Sequence, residues 1–308
     1  MQLPERVTIH EVGPRDGFQP EVAWISTAQK VAIIDALAET GVPQIQATSF
    51  VHPRAIPQLR DADEVCRAMA RPPSVTYDAL VPNLRGAERA AMAGVEVWHL
   101  MLSASESHNR SNGNRAIAET VAGFEPVVEL AARHGTVCHG GLAVAFGCPY
   151  EGDVPLTQLR RIIAMYTRLG ITHVSLGDTT GMANPQQIYE TMSALRERFP
   201  EIEWTLHLHD TRGMALANCL AGMQAGVTTF DSSVGGLGGC PYAPGATGNV
   251  ATEDLVHMLD AMGIETGVDL DRVLDIARTL PEIVGHPIES RTVRAGKATD
   301  LQAELISQ

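Results

Sequence analysis

The chain has 308 residues, a formal net charge of −13, 44% hydrophobic residues and 19% charged residues. This length suits either two ordinary domains or one large α/β barrel, and the hydrophobic content is sufficient for a buried core. The negative charge would repel a polyanionic backbone, so we predict no nucleic-acid partner. The sequence shows no apolar run of membrane-spanning length and no basic segment followed by an apolar one at its start, so we expect neither a membrane partner nor a secretory signal.

Cysteine usage indicates a reducing compartment. The five cysteines are scattered and form no Cys-x-x-Cys pair. An odd number at these spacings disfavours both a disulfide framework and a structural zinc site. We therefore predict a cytoplasmic protein.

Eight short apolar or β-branched runs alternate with stretches of helical periodicity. Successive runs begin 21 to 40 residues apart, which is about the length of one βαβ unit, so the pattern predicts a parallel sheet covered by helices. Eight such units close a (β/α)8 TIM barrel, and an open, doubly wound sheet is the alternative. The predicted strands begin near Val7, Pro43, Val75, Glu96, Thr136, His173, Trp204 and Thr228.

Helices are predicted between these strands and after the last one. We predict one domain over residues 1–308, with the barrel at about 7–250 and a C-terminal helical extension at about 251–290. The tail from Arg291 is polar and is expected to be weakly ordered. The predicted helices are Thr27–Glu39, Asp61–Ala70, Leu84–Ala93, Ala118–Arg133, Leu156–Arg168, Pro185–Phe199, Ala215–Ala225, Ala251–Met262 and Asp269–Thr279.

Polar residues follow seven of the eight predicted strands. Strand one ends in Arg15 and Asp16, strand six in Asp178, and strand seven in His207 and His209. In TIM barrels the functional groups collect at the C-terminal ends of the strands. We therefore expect the active site at this end of the barrel.

Strand seven carries the strongest chemical signal. A period of two places His207 and His209 on one face and Leu206 and Leu208 on the other. Two converging imidazoles suit a metal ion, although an isolated His-x-His is more often a pair of ordinary hydrogen-bonded histidines. Asp16 supports the metal hypothesis because only strand eight would separate strand one from strand seven in a closed barrel. Two histidines and a carboxylate favour a borderline-to-hard divalent cation over zinc, which more typically recruits a thiolate.

A glycine-rich segment from Gly235 to Asn249 surrounds Cys240. Pro241 stands where a dinucleotide fingerprint would need its third glycine, and no Gly-Lys-Ser/Thr sequence completes a phosphate-binding loop. The composition favours a mobile loop that closes over a substrate and presents the thiol as an acid or base. A plain surface loop with a bystander cysteine is the alternative.

Four segments resemble the 3-hydroxy-3-methylglutaryl-CoA lyase family, which belongs to a superfamily of metal-dependent TIM-barrel lyases and synthases. They are residues 11–19 (EVGPRDGFQ), 175–179 (SLGDT), 207–218 (HLHDTRGMALAN) and the loop from residue 235 that continues to 254. The similarity extends from about Val7 to Leu270. It implies retro-Claisen cleavage of a 3-hydroxy-3-methylglutaryl-CoA-like acyl-CoA to acetyl-CoA and a 3-oxo acid such as acetoacetate, carried out by a homodimer.

The resemblance also implies roles for individual residues. Arg15 would stabilise the enolate oxygen that develops on the thioester, and Cys240 would handle the proton delivered to that enolate. Asp178 would be a catalytic carboxylate at the same end of the barrel. The implied ligands of a Mg²⁺ or Mn²⁺ ion are Asp16, His207, His209 and Asn249, and the implied substrate contacts, besides Arg15, are Gln19, Ser49 and Ser175.

One position departs from the family pattern. Gln46 stands where the family's lyases carry an active-site glutamate, and glutamine keeps the shape and an accepting carbonyl but cannot ionise. Two interpretations remain open: a tolerated replacement with slower turnover, or a change of substrate to a related 3-hydroxyacyl-CoA such as (R)-citramalyl-CoA.

Two other functions compete with an acyl-CoA lyase. A CoA-independent aldolase or synthase would use the same Asp16, His207 and His209, but the loop around Cys240 argues against it. A metal-binding barrel that has lost catalysis is disfavoured by the retention of Arg15 beside these residues.

Overall fold

The computed structural model describes residues 2–239 and 248–300, and eight parallel strands in sequence order form a closed barrel at its centre. β8 pairs with β1 from Thr8 opposite Thr229 to Glu11 opposite Ser232. This pairing closes the sheet, so the TIM-barrel prediction is confirmed and the doubly wound alternative is wrong. Each predicted strand start lies within one residue of the observed one. The strands are β1 (Thr8–Glu11), β2 (Gln44–Ser49), β3 (Thr76–Leu80), β4 (Val97–Ser103), β5 (Val137–Ala143), β6 (His173–Asp178), β7 (Glu203–Leu208) and β8 (Thr229–Ser232).

Helices follow the strands around the barrel. Among the described residues, three helices follow β8, and the second of them packs against both the first and the helix that follows β1. The helices are α1 (Thr27–Ala38), α2 (Ala62–Ala68), α3 (Leu84–Met92), α4 (Glu106–Gly113), α5 (Ile117–Ala122), α6 (Glu125–His134), α7 (Leu156–Arg168), α8 (Pro185–Arg198), α9 (Ala215–Gln224), α10 (Thr252–Ala261), α11 (Leu270–Val284) and α12 (Arg291–Ala295). No helix in the described part of the chain is long and apolar enough to cross a membrane.

The predicted helix Ala118–Arg133 is two helices in the structure. Gly123 caps α5, and α6 begins at Glu125 with Pro126 in its first turn. Proline lacks an amide hydrogen and fits the first turn of a helix, whereas in the middle it removes a hydrogen bond and clashes with the preceding turn. The prediction of one continuous helix was therefore wrong.

Two helices were not predicted, and hydrogen bonds to their first turns explain both. The polar helix α4 begins where Ser105 Oγ accepts a hydrogen bond from the His108 amide at 3.2 Å. The helix α12 is held by Asp254, whose carboxylate accepts hydrogen bonds from the amides of Arg291 at 3.0 Å and Thr292 at 2.7 Å. The expectation of a weakly ordered tail is therefore wrong for residues 291–295.

The barrel interior contains a buried polar layer, whereas the space between the strands and helices is filled by a hydrophobic core. Large apolar side chains such as Trp98 and Phe230 are fully buried in that core. Inside the barrel, His10, Asp78 and His99 are equally inaccessible to water. Buried polar groups are costly unless they are paired, so their partners determine what this layer does.

Tyr166 provides a test of how the helices are fixed to the barrel. Its buried hydroxyl lies 2.7 Å from the Leu100 carbonyl oxygen and 2.9 Å from that of Gly141, on the neighbouring strands β4 and β5. We expect Tyr166→Phe to lower the free energy of unfolding in urea by about 1–2 kcal/mol, because a buried carbonyl loses its donor. Tyr189→Phe is the control, since Tyr189 is 46% exposed. Equal stability of the two variants would contradict this role.

Candidate active site

The Arg15–Asp16 segment lies in a turn that follows β1. The strand ends at Glu11, so the prediction that strand one extends to Arg15 and Asp16 was wrong, and residues 13–17 form one turn of π-helix. Glu11 anchors this turn: one carboxylate oxygen accepts hydrogen bonds from the amides of Gly13 at 2.7 Å and Val234 at 3.0 Å. Burial raises the pKa of Glu11 to about 7. The turn is thereby fixed against the end of β8.

His207 and His209 converge with Asp16 at the mouth of the barrel. The Nε2 atoms of the two histidines lie 3.1 Å apart, and each is 3.7 Å from Asp16 Oδ2. Leu206 and Leu208 are fully buried on the opposite face of β7, as the alternation predicts. The predicted convergence of these three side chains is confirmed, while their role as metal ligands stays a prediction.

Asn249 joins the same group from the far side of the glycine-rich segment. Its backbone forms an isolated antiparallel bridge with His209, and its side-chain amide donates to Asp16 Oδ2 at 2.8 Å. Asn249 Oδ1 is buried and has no hydrogen-bond partner among the residues that the structure describes. An acceptor in that situation is available to a cation.

The donor atoms of this group fit a divalent metal ion. The ligand atoms of Asp16, His207 and His209 all lie within 4.8 Å of one another. Burial and the neighbouring His207 lower the pKa of His209 to about 3, so its imidazole is neutral as a ligand must be. Burial alone would raise the pKa of Asp16, but Arg15 and the two histidines outweigh it and lower the pKa to about 2. The site thus offers two imidazole nitrogens, a carboxylate and the Asn249 oxygen.

The ligand orientation of His207 is set by Asp231. His207 Nδ1 lies 3.0 Å from Asp231 Oδ2, which leaves Nε2 directed at Asp16 and His209. We call Asp16, His207, His209 and Asn249 together the metal group. A carboxylate behind a ligating histidine fixes both the ring orientation and the tautomer. Asp231 also accepts a hydrogen bond at 3.1 Å from the hydroxyl of Ser175, one of the predicted substrate-binding residues.

His10 and Asp78 lie beneath the site, and the sequence analysis missed both. His10 Nδ1 is 2.8 Å from Asp231 Oδ1, and its Nε2 is 2.7 Å from Asp78 Oδ2. Burial alone would lower the pKa of His10, but the two carboxylates outweigh it and raise the pKa to about 10. Although His99 lies 3.3 Å from Asp78, we interpret this cluster as an ion-paired imidazolium rather than a second metal site. The available signal was the period of two in β1, where the buried Ile9 and His10 must face opposite ways.

Arg15 is held between a metal-group carboxylate and the barrel interior. Its Nε donates to Gln46 Oε1, and its Nη1 donates to Asp16 Oδ1. Gln46 Nε2 in turn donates to Asp78 Oδ1 at 2.7 Å. Arg15 is 8% exposed, so its guanidinium is fixed beside the metal group and not free in solvent.

Three of the remaining predicted residues lie in the described part of the chain: Asp178, Ser49 and Gln19. Both carboxylate oxygens of Asp178 accept backbone hydrogen bonds, from Met182 at 2.8 Å and Ala183 at 3.1 Å, and burial raises its pKa to about 6. Ser49 is fully buried at the end of β2. The Gln19 amide donates to the Arg15 carbonyl at 3.1 Å. Cys240, the predicted acid on the closing loop, lies outside the described residues.

These features define a TIM-barrel protein with a candidate divalent-metal site at the C-terminal end of its strands. The family model "HMGL-like" matches residues 6–280. The chain is 47% identical over 299 residues to the hydroxymethylglutaryl-CoA lyase YngG of Bacillus subtilis, covering 97% of this chain and 100% of that protein. It is 40% identical to the human mitochondrial hydroxymethylglutaryl-CoA lyase, covering 95% and 90%.

Solved structures agree with these sequence matches. An HMG-CoA lyase from Acinetobacter baumannii, in complex with coenzyme A and 3-methylmalate, superposes with a TM-score of 0.93 at 43% identity, covering 98% of each chain. This chain belongs to the HMGL-like family and is a carbon–carbon lyase.

Gly238 tests how closely the metal group is packed. Its φ is +106°, and an added Cβ would lie 2.4 Å from Asn249 Nδ2 and 3.1 Å from Asp16 Oδ2. We expect Gly238→Ala to weaken Mn²⁺ binding about 10-fold or more, because displaced neighbours of a metal site typically cost that much. Gly263→Ala is the control, since Gly263 also has a positive φ but has no atom near its Cβ position. Unchanged Mn²⁺ affinity in Gly238→Ala, measured by calorimetric titration, would show that the group tolerates the shift.

The protonation of His10 predicts a loss of stability at alkaline pH. The native pKa of about 10 exceeds the ordinary value of 6.5, so the stabilisation is complete below pH 6.5 and is lost as pH rises through 10. In urea titrations with EDTA present, we expect the wild type to lose up to about 1.4 kcal/mol per pH unit across this window. His10→Gln should show a shallower slope, and parallel curves would exclude an imidazolium at this position.

Proposed function

We propose that this protein cleaves 3-hydroxy-3-methylglutaryl-CoA to acetyl-CoA and acetoacetate by a retro-Claisen reaction that depends on Mg²⁺ or Mn²⁺. The observation that carries the proposal is the arginine beside the metal group: Arg15 donates to Asp16, and Asp16 lies 3.7 Å from both histidines. A fixed cation next to a metal site is what a reaction that develops negative charge on an oxygen requires. The hydroxymethylglutaryl-CoA lyases at 40–47% identity support the same substrate.

We assign Asp16, His207, His209 and Asn249 as the metal ligands. A divalent ion held there would polarise the hydroxyl and carboxylate oxygens of the substrate and make the hydroxyl proton more acidic. The protein's contribution is orientation: Asp231 directs His207, and the backbone bridge to His209 carries Asn249 into the group.

Arg15 would stabilise the enolate that forms when the carbon–carbon bond breaks. The hydroxyl passes its proton to solvent water, the alkoxide becomes the ketone of acetoacetate, and the electrons of the broken carbon–carbon bond pass to the thioester as the acetyl-CoA enolate. Because Gln46 and Asp16 already hold the guanidinium, little reorganisation is needed at that moment. We assign Cys240 as the acid that protonates the enolate carbon, on the basis of the family resemblance.

The substrate would lie across the mouth of the barrel. We propose that Ser49 and Ser175 contact the acyl chain and that Gln19 binds the substrate near Arg15. The Asp178 carboxylate accepts two amide hydrogen bonds, which supports a role in shaping the β6–α8 loop beside its proposed catalytic role. Coenzyme A bound in the Acinetobacter structure supports an acyl-CoA substrate.

We further propose a single-domain homodimer in the cytoplasm. Four cysteines in the described part of the chain form no disulfide, which supports a reducing compartment: Cys66, Cys138, Cys148 and Cys219. Light scattering of the purified protein tests the dimer.

(R)-citramalyl-CoA is the second candidate substrate, and it rests on Gln46. The amide replaces a negative charge with a neutral donor and acceptor beside Arg15, which changes the charge that a substrate carboxylate meets.

Acetyl-CoA release decides between these substrates. Steady-state rates on 3-hydroxy-3-methylglutaryl-CoA and on (R)-citramalyl-CoA would be compared with Mg²⁺, with Mn²⁺ and with EDTA. We expect the higher kcat/KM on the first substrate and loss of activity in EDTA. We also expect Arg15→Gln to lower kcat about 10²- to 10³-fold, as removal of an oxyanion-stabilising donor does. Arg133→Gln, at an exposed position, is the control. Activity that persists after complete metal removal would contradict the mechanism.

A further inference from the structure

We propose that Gln46 and Asp78 form a matched pair that positions Arg15, and that glutamine is required at position 46 because Asp78 supplies the negative charge of this layer. Gln46 is then a positioning residue that acts through Arg15, and neither a tolerated replacement nor a substrate contact. The inference deepens the proposed function and rests on it for the role of Arg15.

The two ends of the Gln46 side chain have opposite tasks. Its carbonyl oxygen accepts a hydrogen bond from Arg15 Nε, and its amide nitrogen donates to Asp78 Oδ1 at 2.7 Å. The side chain is 2% exposed, so water cannot replace either partner. An ionised carboxylate has only acceptors, whereas an amide has one acceptor and two donors. Of the amide and the ionised carboxylate, only the amide satisfies both neighbours at once.

Asp78 is an ionised carboxylate in this position. It is completely buried, and it receives a second amide hydrogen bond from Gln44 Nε2 at 2.8 Å in addition to the contact with His10. Burial alone would raise the pKa of Asp78, but His10 and His99 outweigh it and hold the pKa well below its ordinary value. Two side-chain amides therefore donate to this carboxylate, and the His10 imidazole lies against it.

A glutamate at position 46 would set two buried carboxylates against each other. Wherever both groups are ionised, the atoms now joined at 2.7 Å would both carry negative charge, and like charges at that separation repel strongly in a buried site. The introduced side chain would have to move away from Asp78, and Arg15 Nε would lose its fixed partner or move with it. Catalytic groups must be held closely, because a displacement of about 1 Å can cost about 100-fold in rate.

The pairing predicts that the two functional groups can be exchanged. Asp78→Asn supplies an amide donor to a carboxylate placed at position 46 and keeps a carbonyl that can accept from Gln44 or His10. The double variant Gln46→Glu/Asp78→Asn therefore retains one negative charge in the pair. The carboxylate is then at position 46 and the amide donor at position 78. Arg15 Nε again faces an oxygen acceptor.

A double-mutant cycle tests the pair through two independent readouts. We expect Gln46→Glu to lower kcat at least 10-fold with a smaller change in KM, and to lower the free energy of unfolding. We expect Gln46→Glu/Asp78→Asn to have at least a 3-fold higher kcat and a higher stability than Gln46→Glu, although loss of the Asp78 charge beside His10 keeps both below the wild type. Gln2→Glu, the same substitution at an exposed position outside any helix or strand, is the control and should leave both quantities unchanged.

A neutral variant keeps the test decisive if Gln46→Glu fails to fold. Gln46→Met removes both hydrogen bonds without adding charge, so kcat should fall and Asp78→Asn should not restore it. The double-mutant cycle on stability requires no substrate, so it tests the Gln46–Asp78 pairing independently of activity. A wild type that releases no acetyl-CoA would overturn the proposed function alone. Additive effects of Gln46→Glu and Asp78→Asn on both stability and kcat, or a Gln46→Glu variant with wild-type kcat, would overturn the inference.

Discussion

The ion pairing of His10 with two buried carboxylates is the interaction on which the active end of the barrel depends. Asp78 and Asp231 lie on opposite sides of one imidazolium, 2.7 and 2.8 Å from its two nitrogens. Isolated charges at this depth would be prohibitively costly, but here one positive charge lies between two negative ones and stabilises both. Because β1, β3 and β8 contribute one member each, the arrangement exists only in the closed barrel.

Each carboxylate then acts on one side of the candidate site. Asp231 orients His207, and through it the metal group. Asp78 binds the amide of Gln46, whose carbonyl holds Arg15 beside Asp16. The same buried layer thus positions both the ligand that would hold a cation and the arginine that would stabilise an enolate. This coupling gives a physical reason for one residue type at position 46.

The sequence predicted the barrel and the histidine pair because both depend on local periodicity. Strand spacing gave the starts of the eight strands, and the alternation in β7 placed His207 and His209 together. Predictions failed where a distant partner decides the outcome. The turn at residues 13–17 is fixed by Glu11 through the amide of Val234, and α12 is held by Asp254. Neither contact can be read from neighbouring residues.

By itself, the sequence determined the fold class, the face of β7 that carries the imidazoles, and the family resemblance on which the proposed chemistry rests. The tertiary structure alone decided which carboxylates surround His10 and which groups Gln46 joins. These neighbours matter because low-dielectric surroundings make their charges dominate the energy of a buried group. Those neighbours come from strands up to 221 residues away along the chain, as His10 and Asp231 show. A local pattern does not contain that information, whereas barrel closure brings the residues together.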